Sequence, residues 1–239
     1  MRSTCILLLL TAVALADRAA DRAVYEGYLE FVRFIGKRGG SLQAMHDKIV
    51  PNFRKAGPRY KTSVLKNLPR AFQDKKYGLT LGDKAVIADT LAGCGSKGLA
   101  KCKQLLKANK RDAQVRLVIA EALGKCNNSR ALKILTGSVI QDKDPAVAEA
   151  GVLACRSYVG GKQQARKNAM KSLITRYIRV TDAAAGKKSD TDAVKLYKRL
   201  QPALNTTLRE FSGGTSLDSA KAWEAWLKEH ATKPLPEVS

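Results

Sequence analysis

Apolar residues recur along this chain at intervals of three and four, the period of helices with one buried face. Val24, Tyr28, Phe31, Val32 and Ile35 form the first such stripe, which stops at Gly36 with Gly39-Gly40 behind it. Residues 42–55 follow as a helix interrupted at Pro51. Pro58 opens another through Val64, Leu65, Leu68 and Phe72, and Pro69 is expected to kink it or end it early. Late in the chain Leu196, Leu200, Leu204 and Leu208 mark a long helix bent at Pro202. Residues 183–192 carry no period and several turn formers, which predicts an exposed loop spanning about 180–193. Nowhere do β-branched and polar residues alternate over the length of a strand, so the predicted class is all-α.

The centre of the chain repeats. Thr80, Asp112 and Asp144 stand 32 residues apart, each ahead of a stretch with helical apolar spacing. Thr and Asp are good N-caps because their side-chain oxygens accept from the free amides of a first turn. Thr80-Leu81-Gly82-Asp83 also has the form of a capping box. Ile87-Ala88-Asp89-Thr90-Leu91 aligns at the same offset with Ile119-Ala120-Glu121-Ala122-Leu123, and Cys94 falls in register with Cys126. Polar breaks at Gly95-Ser96-Lys97-Gly98, Asn127-Asn128-Ser129 and Gly160-Gly161 separate these helices from second helices at about 99–109, 130–141 and 162–179. Helix–turn–helix units at such a period predict an α-solenoid, a right-handed stack of about six antiparallel helix pairs or partial pairs.

Asp112-Ala113-Gln114-Val115-Arg116 and Asp144-Pro145-Ala146-Val147 resemble the opening of a HEAT repeat, commonly Asp-Pro-x-Val-Arg. The resemblance covers roughly 80–177, and the unit at Thr80 departs from it with Asp83 where valine is expected. The ending, with Trp223, Trp226 and Leu227 after Gly213-Gly214, resembles that of bacterial exported HEAT-repeat proteins. The two tryptophans share one helix face and are expected to cap the open end of the array. The resemblance implies that second helices line a concave face. The expected organisation is an N-terminal helical region of capping or degenerate repeats at 17–79, HEAT-like repeats at 80–179, the loop, and C-terminal helices at 194–239.

The first sixteen residues stand apart. Arg2 supplies a positive start, residues 6–15 are apolar except Thr11, and Ala14-Leu15-Ala16 has the small-x-small form cut by signal peptidase. The apolar run is about half the ~20 residues a bilayer span needs. Export to the periplasm or exterior is expected, with cleavage after Ala16 and no later membrane span. Removing these residues, which include one basic side chain, from a chain of 239 residues and net charge +22 leaves 223 residues at +21.

That charge predicts attraction to polyanions or anionic surfaces. Residues 97–111 hold six basic side chains and no acid, 156–179 hold seven and no acid, and 54–76 hold eight against Asp74 alone. Asp89, Glu121 and Glu149 lie on first helices, so positive charge collects on the second ones. The candidate binding residues are Lys97, Lys101, Lys103, Lys107, Arg130, Lys133, Lys162, Arg166, Lys167 and Lys171, facing a protein or an anionic polymer. Solvated surface helices would give the same pattern without a ligand. Few aromatics lie among the cations, which disfavours base stacking.

Catalytic chemistry finds little material. His46 and His230 are the only histidines, and neither has a second at metal-ligand spacing. The Gly36-Lys37-Arg38-Gly39-Gly40 run follows a helix and reads as its ending, and the Asp142/Asp144 pair reads as capping. No metal, cofactor or catalytic residue is expected. Cys94, Cys102, Cys126 and Cys155 are compatible with small buried hydrophobes or with disulfides, which would require Cα atoms within about 7 Å. The favoured reading is a non-enzymatic exported scaffold. A nucleic-acid-binding protein gripping the backbone, possible also as a glycosylase, and a HEAT-like lyase are the alternatives.

Overall fold

The computed structural model describes residues 2–186 and 191–236, with side chains from Asp17 onward, and every regular element among them is helical. The all-α class therefore holds. The side chains of the predicted cleavage sequence, Ala14 and Ala16 included, lie outside the described residues. Two compact units divide the chain, Met1–Leu105 and Leu106–Ser239.

The first unit comprises α1 (Arg2–Ile35), α2 (Leu42–Asn52), α3 (Pro58–Gln73), α4 (Leu81–Gly93) and most of α5 (Gly95–Ala108). Helix α1 packs against α2 and α3, and α4 packs against the same two. The Gly-Lys-Arg-Gly-Gly run ends α1 as expected: Lys37 and Gly39 take positive φ angles of 55° and 78°. Pro69 does not stop α3, which runs on to Gln73 with Val64, Leu68, Ala71 and Phe72 buried. A capping box starts α4. Thr80 Oγ1 accepts from the Asp83 amide at 3.1 Å, and Asp83 Oδ2 accepts from the Thr80 amide at 2.9 Å. Asp83 therefore has a structural reason to stand where the repeat pattern would put valine.

The α4–α5 joint is tighter than the sequence implied. Helix α5 begins at Gly95 itself, at φ 68°, where a side chain would be strained. A Cβ on Gly98 would lie 1.9 Å from the Leu91 carbonyl oxygen, so no larger residue fits while these backbones stay together. Leu99, Cys102 and Leu105 form the buried side of α5.

The second unit comprises α6 (Ala113–Lys125), α7 (Ser129–Ile134), α8 (Pro145–Ala154), α9 (Gln163–Ala185), α10 (Thr191–Phe211) and α11 (Ala220–Glu229). Asp112 caps α6 by accepting from Val115, and Asp144 caps α8 by accepting from Ala146 and Val147, with Pro145 at its first position. Helix α7 is continued by a π-helical segment, Leu135–Val139, in which the Ile140 amide donates to the Leu135 carbonyl five residues back at 3.0 Å. Helix α8 ends in a 3₁₀ turn, Cys155–Tyr158. Helices α6 and α10 both pack on α8, while α7, α10 and α11 pack on α9. Tyr177, Leu204, Leu208, Phe211 and Trp223 are among the buried side chains.

Of the stretch expected as a loop at 180–193, residues 180–185 and 191–193 are helical. Helix α9 continues through Ala185, because Ala183, Ala184 and Ala185 are strong helix formers that outweigh the missing apolar period. Residues 187–190 lie outside the description. Pro202 stands inside α10, which continues to Phe211. Cys94, Cys102, Cys126 and Cys155 are free thiols. Burial pushes the Cys94 and Cys126 thiols up, and Cys155 is pushed to about 12.

Candidate anion-binding surface

The expected cations part company in the structure. On α5, Lys97, Lys103 and Lys107 are exposed, and Lys101 is half-buried with its Nζ donating to Gln104 Oε1 at 3.2 Å. At ~100° per residue, Lys97 and Lys101 lie along one flank of this helix and Lys103 and Lys107 along the other. Arg130 and Lys133 on α7 are exposed, as are Lys162 and Lys171 at the start and on the outer side of α9.

Arg166 is not a surface cation and is withdrawn from the binding set. It is 4% exposed, and its Nη2 donates to the Phe211 carbonyl at 2.7 Å and the Pro236 carbonyl at 3.1 Å. Burial holds the guanidinium below its ordinary range. Lys167 is likewise occupied, its Nζ donating to the carbonyls of Ala231 and Lys233. Two further cations of 156–179 have internal partners. Arg156 pairs with Glu210 across 54 residues, and Arg176 Nη2 donates to the Asp142 carbonyl at 2.9 Å. Irregular backbone leaves carbonyls without helical partners, and the long cationic side chains of α9 supply the missing donors. Arg156, although paired, is exposed in that stretch, as are Lys162, Lys171 and Arg179.

The surface that stands out belongs to α3, which the expected site set omitted. This helix carries Arg59, Lys61, Lys66 and Arg70 and no acid. Arg59, Lys66 and Arg70 are exposed. Their spacing of seven and four residues puts them on one ridge about 16 Å long. Lys61 is drawn aside, its Nζ donating to the Arg54 carbonyl at 2.9 Å. Thr62 and Ser63 turn their hydroxyls back to the carbonyls of Pro58 and Arg59, leaving the ridge to its cations. Arg54 and Lys55, just before the helix, are exposed as well. The signal was present in the basic count over 54–76. The repeat pattern begins only at Thr80 and does not reach this helix.

Asp142 does more than cap. Its carboxylate receives Arg116 Nε at 2.7 Å and Nη2 at 3.0 Å, while Arg116 Nη1 donates to the carbonyls of Asn109 and Lys110. The fork keeps the guanidinium above its ordinary pKa. His46 is half-buried against Thr90, with Nδ1 3.1 Å from Oγ1. His230 stacks on Trp226 at a centroid distance of 4.0 Å and 14° between planes. Among the described residues no three His, Cys, Asp or Glu side chains gather as metal ligands would, and no helix is long and apolar enough to cross a membrane.

Compared with protein-family models, with curated proteins and with solved structures, the chain matches none.

Proposed function

We propose that this chain is a non-enzymatic scaffold of HEAT-like helix pairs, stacked as a right-handed solenoid, that is exported and holds an anionic partner through exposed basic helix surfaces. The N-caps at Thr80, Asp112 and Asp144, each serving a helix at a 32-residue interval, support the repeat reading. The observation that carries the anionic partner is the α3 ridge: Arg59, Lys66 and Arg70 lie exposed on an acid-free helix. A row of three like charges has a cost in self-repulsion, and an anionic polymer or surface laid along it removes that cost. Lys97, Lys103 and Lys107 on α5, and Arg130, Lys133 and Lys171 in the second unit, add to the attraction. Export rests on the charged start, apolar run and Ala14-Leu15-Ala16 sequence, and a mature chain beginning at Asp17 in an envelope fraction is its test.

Heparin serves as a generic anionic probe. Binding should weaken steeply with salt, with a log–log slope of roughly −0.7 to −0.9 per phosphate-like contact on a nucleic-acid polymer. The variant R59E/K66E/R70E should elute from heparin at clearly lower salt while keeping its helical spectrum, since exposed charges contribute little to folding. Retention equal to the parent's would end the α3 assignment. A K103E/K107E/K171E variant measures the share of the expected second-helix cations, and duplex DNA in place of heparin tests the nucleic-acid alternative.

A further inference from the structure

The last described residues, 231–236, have no regular secondary structure, yet their backbone is held at several points. Gln163 pairs with Leu235 twice: its Nε2 donates to the Leu235 carbonyl at 2.9 Å, and its Oε1 accepts from the Leu235 amide at 2.9 Å. Arg166 and Lys167 hold the carbonyls of Pro236, Ala231 and Lys233. Gln163, Arg166 and Lys167 stand at i, i+3 and i+4, one face of the first turns of α9. Leu235 is 2% exposed between two exposed prolines, Pro234 and Pro236.

This is the manner in which extended peptides are recognised, with side chains reading main-chain amides and carbonyls and one pocket taking an anchor. The two prolines keep the segment extended before it docks, so little conformational entropy is lost. A second observation points the same way. Arg166 is buried without a carboxylate among its hydrogen-bond partners, and its Nε has no partner. A guanidinium this deeply placed is costly for the folded chain by itself. The Phe211 carbonyl at the end of α10 answers part of that cost, and the Pro236 carbonyl of the docked segment answers a further part.

We propose that the first turns of α9 form a binding site for an extended, proline-flanked aliphatic segment of another protein, and that the chain's own residues 231–236 are its resident occupant. The site is independent of the basic α3 ridge and neither needs the other. The tethered segment competes at an effective concentration on the order of millimolar. A segment in trans therefore enters once the resident one is released, and the tail acts as a built-in competitor.

The test uses the full chain with its tail weakened, L235D, and a fluorescent peptide of residues 231–239 as probe. The peptide should bind L235D at least tenfold more tightly than the wild-type chain, in which the site is filled. A probe with aspartate in place of its leucine should lose that binding, and so should the Q163A/L235D chain toward the original probe. Helical spectra and melting curves of each variant establish that it is folded, and L235A takes the place of L235D if the latter melts. Absence of peptide binding to a folded tail-weakened chain overturns the proposal. So does equal binding to wild type and variant, or binding that survives Q163A, because the peptide would then be held elsewhere.

Discussion

At the scale of single residues, Arg116 and Asp142 are the pair on which most depends. Their side chains are 10% and 15% exposed, and Arg116 also donates to the carbonyls of Asn109 and Lys110. Removing one member leaves the other charge buried without its partner, a cost of about 3 kcal/mol or more. D142A should accordingly lower the melting temperature by roughly 6–12 °C for a chain of this size, and a R116M/D142L chain should recover a good part of it. Cys155 gives a second prediction. Burial raises its thiol from an ordinary 9.0 to about 12, so the folded chain holds this proton more tightly than the unfolded one. Its contribution to stability is complete below pH 9.0 and is lost as pH climbs toward about 12. Melting curves across that range should fall more steeply for the parent than for C155A, and parallel curves would refute the assignment. Residue-scale features were legible from sequence where the partner is local. Thr80, Asp112 and Asp144 reach amides two or three residues away. Arg116 finds Asp142 across 26 residues and Gln163 finds Leu235 across 72, distances at which spacing carries no information.

At the scale of elements, the helices themselves were readable because each buries one face, and a 3.6-residue period records that directly. The ends were harder. Propensity carried α9 to Ala185 where periodicity had already failed, and α5 starts at Gly95 because the turn before it needs a positive φ and a close backbone approach. Charge was the least transferable reading. Residues 156–179 look like a basic patch when counted, but Arg166, Lys167 and Arg176 satisfy carbonyls and Arg156 satisfies Glu210. A count of lysines and arginines cannot register which of them the backbone will need. The same reasoning predicts opposite outcomes for two neighbours on α9. R166E should lower the melting temperature by several degrees, since it sets a carboxylate against the carbonyls of Phe211 and Pro236, whereas K171E should leave it within about 1–2 °C. Thermal melts of the two variants side by side decide the point.

At the scale of the whole molecule, a net charge of +22 acts against folding through self-repulsion while attracting anions from outside. Raising the ionic strength from about 0.01 M to 0.15 M shortens the screening length from about 30 Å to about 8 Å. The same change should therefore raise the melting temperature and weaken heparin binding, two opposite responses measurable in one salt series. A fall in both would mean that ion pairs such as Arg156–Glu210 outweigh the repulsion. The π-helical segment at Leu135–Val139 bears on what length of chain this fold requires. A wide turn of this kind takes up one residue more than an α-turn, here at the end of α7, with a turn at Ile140 and Gln141 directly after it. The molecule thus carries one position of spare length there, and Gly137 is exposed with nothing near the place a Cβ would occupy. Excising Gly137 should close the turn to an ordinary α-helix with Leu135, Val139 and Ile140 still buried. It also removes a glycine worth about 1 kcal/mol of helix stability. A chain of 238 residues that melts no lower than its parent would identify this turn as an insertion that the helix absorbed rather than a feature it needs.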